Sequence, residues 1–224
     1  MTQEQLLLGV VVARGGSKRL PGKNLMKICG ESLVERTVRI ARSSRVISKL
    51  IISSDNDAIL AEAQNAGCEV LFVRPDHLAQ DSSSSIDVLT HAITSVPLHQ
   101  HTILLQPTSP LRTAEDINNA YNLMLMMKSK SCVSVVKSVQ QFEKEDKNFP
   151  AERVFKPNGA SEFVPSKVAN YLLNGALYLV ETASFLKTNT FIDEKSIGME
   201  MPKERSLDID TLTDFELCCT ALEA

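Results

Sequence analysis

The sequence predicts an α/β fold in which a parallel sheet is covered by helices on both faces. Short apolar runs alternate along the chain with segments in which apolar residues recur every three or four positions. The first pattern is typical of strands buried on both faces, and the second of helices that bury one side. Their alternation indicates β-α-β units, and a length of 224 residues suits a single domain over residues 1–224.

The elements follow in order from these two patterns. The apolar runs predict strands at residues 6–12, 50–53, 69–73, 102–105 and 132–136. The helical faces are marked by Val34, Val38 and Ala41, by Ile59, Ala63 and Ala66, by Ile86, Leu89, Ile93 and Val96, and by Ile117, Tyr121, Met124 and Met127. Gly67 is suited to end the second helix, and Thr113 to cap the fourth. Thr211, with Asp214 three residues later, predicts the start of a final helix.

Residues 137–170 interrupt this regular order. Charged residues, proline and glycine alternate there without a clear period, and they are mixed with four phenylalanines: Phe142, Phe149, Phe155 and Phe163. So long a stretch without regular structure is uncommon within a compact domain, and aromatic residues often anchor interfaces. We therefore expect an inserted arm, for which paired strands are one candidate structure, that packs on another subunit and makes the protein a homodimer.

Composition excludes several classes of protein. With 24 basic and 27 acidic residues the net charge is −3, which argues against a general nucleic-acid partner. No apolar run approaches the roughly 20 residues of a membrane span, and the amino terminus lacks the basic start of a signal peptide. Five cysteines without CxxC spacing favour reduced thiols. These observations predict a cytoplasmic protein without a membrane partner.

The loop after the first strand carries the strongest chemical signal. Residues 13–24 contain three glycines, and five cations precede the first acid, Glu31: Arg14, Lys18, Arg19, Lys23 and Lys27. Glycines let backbone N–H groups approach a ligand, and cations at the carboxyl end of a central strand suit a phosphate chain. Five residues between Gly16 and Gly22 exclude a Walker A loop, and GxGxxG is absent. A solvated basic loop is the alternative.

The same loop resembles the amino-terminal signature of the CMP-sialic acid synthetases, the acylneuraminate cytidylyltransferases. Three further blocks match in the same order, at residues 104–112 (LLQPTSPLR), 174–178 (NGALY) and 204–211 (ERSLDIDT). The resemblance spans nearly the whole chain. It implies a three-layer α/β/α nucleotide-binding domain, Rossmann-like and of the nucleotide-diphospho-sugar transferase type, with a small dimerisation arm at residues 137–170.

The resemblance also implies a reaction and a set of site residues. CTP and an acidic nine-carbon sugar, sialic acid or a bacterial relative such as legionaminic acid, would give the CMP-sugar and pyrophosphate. Arg14, Lys18, Lys23 and Asp208 are the implied catalytic residues. The implied nucleotide contacts are Arg14, Gly15, Gly16, Ser17, Lys23, Asn24, Arg74 and Ser84, although the neighbouring Asp81-Ser82 could be only a helix-capping turn.

For the sugar, the resemblance implies Gln106, Tyr178 and Lys167. Tyr178 could equally be an ordinary residue at the edge of the core. Lys167 stands in a stretch where the family often has an arginine, and a lysine cannot form the bidentate fork that arginine makes with a carboxylate. This departure leaves the identity of the sugar open.

Asp208 and Asp210 form an Asp-Ile-Asp motif. Alternate residues of an extended segment point the same way, so these two carboxylates can share a hard divalent cation, Mg²⁺ or another. The alternative is that Asp210 only caps the final helix.

Two further functions stay open from the sequence. One is a cytidylyltransferase for 3-deoxy-manno-octulosonate, and the other is a nucleotide-binding sensor without turnover.

Overall fold

The computed structural model describes residues 7–137, 153–154, 162–163 and 171–223. The strands are β1 (Leu7–Val12), β2 (Lys27–Ile28), β3 (Glu31–Ser32), β4 (Ile47–Ser53), β5 (His101–Leu105), β6 (Ser131–Lys137), β7 (Arg153–Val154), β8 (Glu162–Phe163), β9 (Tyr171–Glu181) and β10 (Ile197–Glu200). The helices are α1 (Leu33–Arg42), α2 (Asp57–Asn65), α3 (Ser85–Ser95), α4 (Ala114–Met126), α5 (Thr182–Thr188) and α6 (Leu212–Glu223). Six strands form the main sheet, in the order β10-β6-β9-β5-β1-β4.

Two apolar layers cover the sheet, one on each face. Strand β1 is apolar on both sides, and its residues alternate: Leu7 and Val11 join one cluster, while Leu8 and Val10 join the other. The first cluster includes residues of α1, α2 and α4, and the second includes residues of α3 and α5. The three-layer α/β/α prediction is therefore confirmed.

The sheet is parallel except at one strand. Strand β1 pairs in parallel with β4 and β5, and β6 with β10, but β9 lies antiparallel between β5 and β6. A central strand is apolar whichever way it runs, so its composition does not reveal its direction.

The prediction of a strand at residues 69–73 is wrong. Glu69 makes a single bridge to Ile51, next to the edge of the sheet. Beyond it the chain leaves the edge, and Leu71 and Val73 are about half exposed. Apolar content in this segment therefore did not indicate a paired strand.

The local signals at helix ends are confirmed. Gly67 follows α2 with φ of 92°, a left-handed conformation that glycine adopts readily. Thr113 and Asp116 form a complete capping box at α4. At the start of α6, the backbone N–H of Thr211 donates to Asp214 Oδ2 at 2.7 Å, and the Asp214 N–H donates to Thr211 Oγ1 at 3.3 Å.

The expected arm falls largely outside the described residues, as do Phe142, Phe149, Phe155 and Lys167. Within it, β7 and β8 pair antiparallel, in agreement with the expected paired strands. The dimerisation role of the arm and its bounds at 137–170 stay predictions.

All five cysteines are free thiols. None of the helices in the described part of the chain is both long and apolar enough to cross a bilayer.

Candidate active site

The basic loop at residues 13–24 is held to the rest of the fold at its start, and its end is bonded back to its start. The backbone N–H of Ala13 donates to the carbonyl of Ser53 at 3.1 Å, which extends the pairing of β1 with β4. Next, the N–H of Gly15 donates to Asp55 Oδ1 at 3.0 Å. At the other end, Asn24 Nδ2 donates to the carbonyl of Arg14 at 3.0 Å. These bonds give the loop a defined course above the carboxyl end of β1.

A cavity of about 630 Å³ opens beside this loop. It lies at the carboxyl ends of the parallel strands, where open α/β sheets bind ligands. Nine of the residues expected at the site line it together: Arg14, Ser17, Lys18, Lys23, Asn24, Arg74, Gln106, Asp208 and Asp210. The structure thus brings residues from four distant parts of the chain to one opening.

The cations of the loop face two different acidic groups. Arg14 Nη2 lies 2.7 Å from Asp81 Oδ1, and Lys18 also pairs with Asp81. The hydrogen bond from Lys18 is the largest cause that lowers the pKa of Asp81, and Arg14 adds to it. The side chain of Lys18 is 84% exposed, so its ammonium group is free to move within the opening.

Lys23 connects the basic loop to the Asp-Ile-Asp segment. Its Nζ donates to the carbonyl of Ile209 at 2.7 Å and to Asp210 Oδ1 at 3.3 Å. Arg19 Nη1 lies 2.9 Å from Asp210 Oδ2. The Lys23 side chain is only 12% exposed, so this contact is well shielded from water. Asp210 is therefore neutralised from two sides.

Asp208 stands in a different environment from Asp210. It is open to solvent through the cavity, yet the surrounding protein raises its pKa, chiefly because burial disfavours the charged form. The charge of Asp210 adds to this rise, whereas a hydrogen bond with Thr108 and the charge of Lys23 oppose it. The N–H of Ile209 donates to the carbonyl of Thr108 at 2.8 Å and fixes the segment.

The donor set fits a hard divalent cation. Carboxylate oxygens are the ligands that Mg²⁺ prefers, and both Asp208 and Asp210 line the cavity. Among the residues that the structure describes, no group of three or more His, Cys, Asp or Glu side chains is placed to hold a metal ion. An ion here would therefore complete its coordination with water or ligand oxygens, as Mg²⁺ commonly does.

Arg74 lies at the wall of the cavity and is 5% exposed. Its Nε donates to Ser53 Oγ at 3.0 Å, and its Nη2 donates to the Ser53 carbonyl. Burial lowers the pKa of Arg74 to about 10, against the opposing effect of Asp55.

Ser84 caps α3. Its hydroxyl oxygen accepts the N–H of Asp87 at 3.1 Å, while the neighbouring Ser83 and Ser85 line the cavity. The helix cap is thus formed by Ser84, not by the Asp81-Ser82 pair, and the nucleotide contact implied for Ser84 stays a prediction.

Arg112 supports the Gln106 side of the cavity from within the protein. It is 1% exposed, and its Nη1 donates to the carbonyls of Gln106, at 3.2 Å, and of Ala176. Burial lowers the pKa of Arg112 to about 10. Gly175, with φ of 75°, lies against Gln106, since a Cβ there would be 3.3 Å from Gln106 Oε1. Strands β5 and β9 are thus joined where they meet the cavity.

Tyr178 packs in the core next to the cavity. Its ring centroid lies 5.0 Å from that of Phe191, and burial raises its pKa, with a further rise from Asp208.

Sequence reasoning missed three contacts at this site: Asp55, Asp81 and Thr108. Asp55 and Thr108 each lie just past the carboxyl end of a strand, and that position was the signal available.

A family model described as cytidylyltransferase matches residues 8–218. The chain belongs to the cytidylyltransferase family. The match includes the basic loop, Gln106 and the Asp-Ile-Asp segment, so every lining residue of the cavity falls within the family domain.

Several curated relatives are similar over nearly all of this chain. The N-acylneuraminate cytidylyltransferase of Escherichia coli O18:K1:H7 is 31% identical over 217 residues, covering 96% of this chain and 51% of the relative. The chain thus spans about half the length of that enzyme. The CMP-N,N'-diacetyllegionaminic acid synthase of Legionella pneumophila is 29% identical, covering 94% of each protein. The pseudaminic acid cytidylyltransferase of Campylobacter jejuni is 26% identical, covering 93% of each.

Two solved structures share the fold. CMP:2-keto-3-deoxy-manno-octonic acid synthetase complexed with CTP superposes with a TM-score of 0.77 at 15% identity, over 97% of this chain and 98% of the other. A 4-diphosphocytidyl-2C-methyl-D-erythritol synthase from Anaerococcus prevotii gives a TM-score of 0.68 at 13% identity, over 99% and 97%. At these identities the likeness establishes the fold alone.

Proposed function

We propose that the protein transfers CMP from CTP to the anomeric hydroxyl of an N-acylneuraminate-type nonulosonic acid and releases pyrophosphate. One observation carries the proposal. In a chain of the cytidylyltransferase family, the cations of the basic loop and the carboxylates of Asp208 and Asp210 face the same cavity. Named relatives that act on sialic, legionaminic and pseudaminic acids support the nine-carbon acid as the acceptor.

The reaction forms one bond and breaks one bond at the α-phosphorus. The hydroxyl oxygen of the sugar attacks the α-phosphorus, and the bond to the oxygen that bridges to the β-phosphorus breaks. The hydroxyl proton is lost to the surrounding water. Negative charge grows on the departing pyrophosphate, so catalysis depends on positioning and on cations that neutralise this charge.

The loop cations suit this task in different ways. Arg14 can hold two phosphate oxygens with parallel N–H groups, and Lys18 supplies a mobile point charge. Lys23 is shielded and already oriented by Ile209 and Asp210, so its charge acts at a fixed position. The backbone N–H group of Gly16 and the Ser17 hydroxyl add hydrogen-bond donors to the same loop, whereas the Gly15 N–H is bonded to Asp55.

We propose Asp208 and Asp210 as the ligands of a divalent cation. When bound, Mg²⁺ withdraws charge from phosphate oxygens and lowers the pKa of a bound hydroxyl. Asp208 supplies carboxylate oxygens at the wall of the cavity, close to where the basic loop would hold the phosphates. Asp210 is held by Arg19 and Lys23, which keeps its oxygens beside the basic loop.

The proposal places the nucleotide between Asn24 and Arg74 and the sugar near Gln106 and Tyr178. Arg112 fixes the Gln106 backbone from behind. A homodimer formed through residues 137–170 remains part of the proposal, with Lys167 as a sugar contact. Five free thiols suit a reducing compartment, which favours the cytoplasm.

A pyrophosphate-release assay tests this function. The protein is given CTP and Mg²⁺ with N-acetylneuraminic, legionaminic, pseudaminic or 3-deoxy-manno-octulosonic acid, and UTP and ATP serve as nucleotide controls. We expect release with CTP and at least one nine-carbon acid. Fastest turnover of the octulosonate would support the eight-carbon alternative. Tight CTP binding without release under any condition would indicate a sensor.

A further inference from the structure

Asp81 lies on the loop between α3 and the short 3-10 turn at Asp76–Leu78. Its carboxylate binds Arg14 and Lys18 together, with 2.7 Å between Asp81 Oδ1 and Arg14 Nη2. Asp81 lines the cavity along with its neighbours Gln80 and Ser83. One acidic side chain therefore holds two of the cations that the proposed function assigns to the phosphate chain.

A carboxylate and a phosphate compete for such cations. Both accept hydrogen bonds from a guanidinium in the same planar arrangement, so the N–H groups of Arg14 that hold Asp81 are those that a phosphate oxygen would use. A carboxylate that remained between Arg14 and Lys18 would also repel the triphosphate. The side chains of Asp81 and Lys18 are 41% and 84% exposed, so the contact can open without disturbing the core.

We propose that Asp81 is a positioning residue that competes with the phosphate chain for Arg14 and Lys18. It keeps the two cations at the mouth of the cavity between turnovers, gives them up when the triphosphate enters, and recovers them as pyrophosphate leaves. Asp81 therefore weakens pyrophosphate binding and speeds product release. The inference rests on the proposed function, because it needs Arg14 and Lys18 to bind phosphate.

Calorimetric titration with pyrophosphate in EDTA tests the competition without turnover or metal. Asp81→Asn keeps the shape of the side chain and removes its charge. Two solvent-exposed ion pairs together change a binding constant by about threefold to tenfold, so this variant should bind pyrophosphate tighter by that factor. Asp81→Glu, which retains the carboxylate, should restore binding to within twofold of wild type.

A matched control separates the contact from the general loss of a negative charge. Asp76→Asn makes the same charge change on the same segment, but Asp76 is not among the described residues that line the cavity. We expect it to bind pyrophosphate within twofold of wild type. In steady state with CTP, Asp81→Asn should lower KM and kcat together and increase product inhibition. If the role of Asp81 were purely structural, Asp81→Asn would change neither the binding constant for pyrophosphate nor the values of KM and kcat.

The outcomes distinguish the inference from the function on which it rests. If wild type binds pyrophosphate and Asp81→Asn binds it no tighter than Asp76→Asn does, the inference is overturned and the proposed function stands. Weaker binding by Asp81→Asn would likewise overturn it, since Asp81 would then assist the phosphate chain. If wild type binds neither pyrophosphate nor CTP even when Mg²⁺ replaces the EDTA, both the function and the inference fail.

Discussion

The close approach of Gly15 to Asn56 gives a prediction with a defined magnitude. A Cβ added at Gly15 would lie 2.9 Å from Asn56 Cβ and 2.9 Å from Asn56 Nδ2, too close for either pair. Asn56 caps α2 through its Oδ1, which accepts the N–H of Ile59 at 3.1 Å. The Gly15→Ala variant must therefore displace either the helix cap or the basic loop.

Each form of relief has a known cost. Because the Cβ of Asn56 is fixed by its backbone, relief on that side shifts the whole residue and loses the cap, at a cost of about 1 kcal/mol. Moving the loop instead breaks the bond from the Gly15 N–H to the Asp55 carboxylate, worth about 1.5–3 kcal/mol because the acceptor is charged. We expect Gly15→Ala to destabilise the protein by about 1–3 kcal/mol. For a chain of this size each 1 kcal/mol corresponds to a fall in Tm of about 2–4 °C.

Thermal denaturation followed by circular dichroism measures this change, with two control variants. Gly16→Ala adds the same methyl group one residue later, where nothing lies within 4 Å, and should stay within about 0.5 kcal/mol of wild type. Asn56→Gly removes the clashing Cβ at a loss of only a few tenths of a kcal/mol as a cap, so it should rescue Gly15→Ala in the double variant. A Gly15→Ala protein with the wild-type Tm, or a double variant no better than the single one, would refute the steric argument.

Three other predictions address the helix cap, the metal site and the thiols. Ser84→Ala should lower stability by about 0.5–2 kcal/mol through loss of the α3 cap and leave the KM for CTP within twofold; a tenfold rise in KM would instead support a direct nucleotide contact. Asp208→Asn should reduce pyrophosphate release by about a hundredfold or more, and excess EDTA should abolish it in wild type; full activity in EDTA would exclude a divalent cation. Burial raises the pKa of Cys68 and Cys132 to about 12, so at pH 8 both remain neutral thiols and should resist a thiol reagent until the protein unfolds, whereas exposed Cys29 should react in the native state.

Local signals in the sequence predicted the parts of the fold that depend on neighbouring residues. The apolar run at β1 identified a buried strand because both of its faces meet apolar layers. Thr113 and Thr211 identified helix starts because a capping box is completed within four residues. The direction of β9 was not predictable in this way, since the partners of a strand are chosen by the whole sheet.

The same distinction between local and distant signals applies to the candidate site. The cations of residues 13–24 and the Asp-Ile-Asp motif were recognisable because each is a short block. The contact of Asp81 with Arg14 joins residues far apart in sequence, and nothing local indicates it. The capping role of Ser84 was readable, because Asp87 follows at the third helical position. The nucleotide contact that the resemblance implies for Ser84 stays a prediction.

The pairing of β6 with β9 makes residues 138–170 a unit that evolution can exchange. Lys137, the last residue of β6, is the partner of Tyr171, the first residue of β9, so the ladder holds both ends of the excursion side by side. Any segment between these two residues therefore has its ends held together by the ladder. Lengthening that segment costs little free energy, since closure entropy grows only logarithmically with loop length. The excursion also begins and ends at the same end of the sheet as Gln106, which follows β5 and lines the cavity. Under the proposed function, replacing this one segment would alter the acceptor side of the cavity and leave the residues proposed for the nucleotide unchanged.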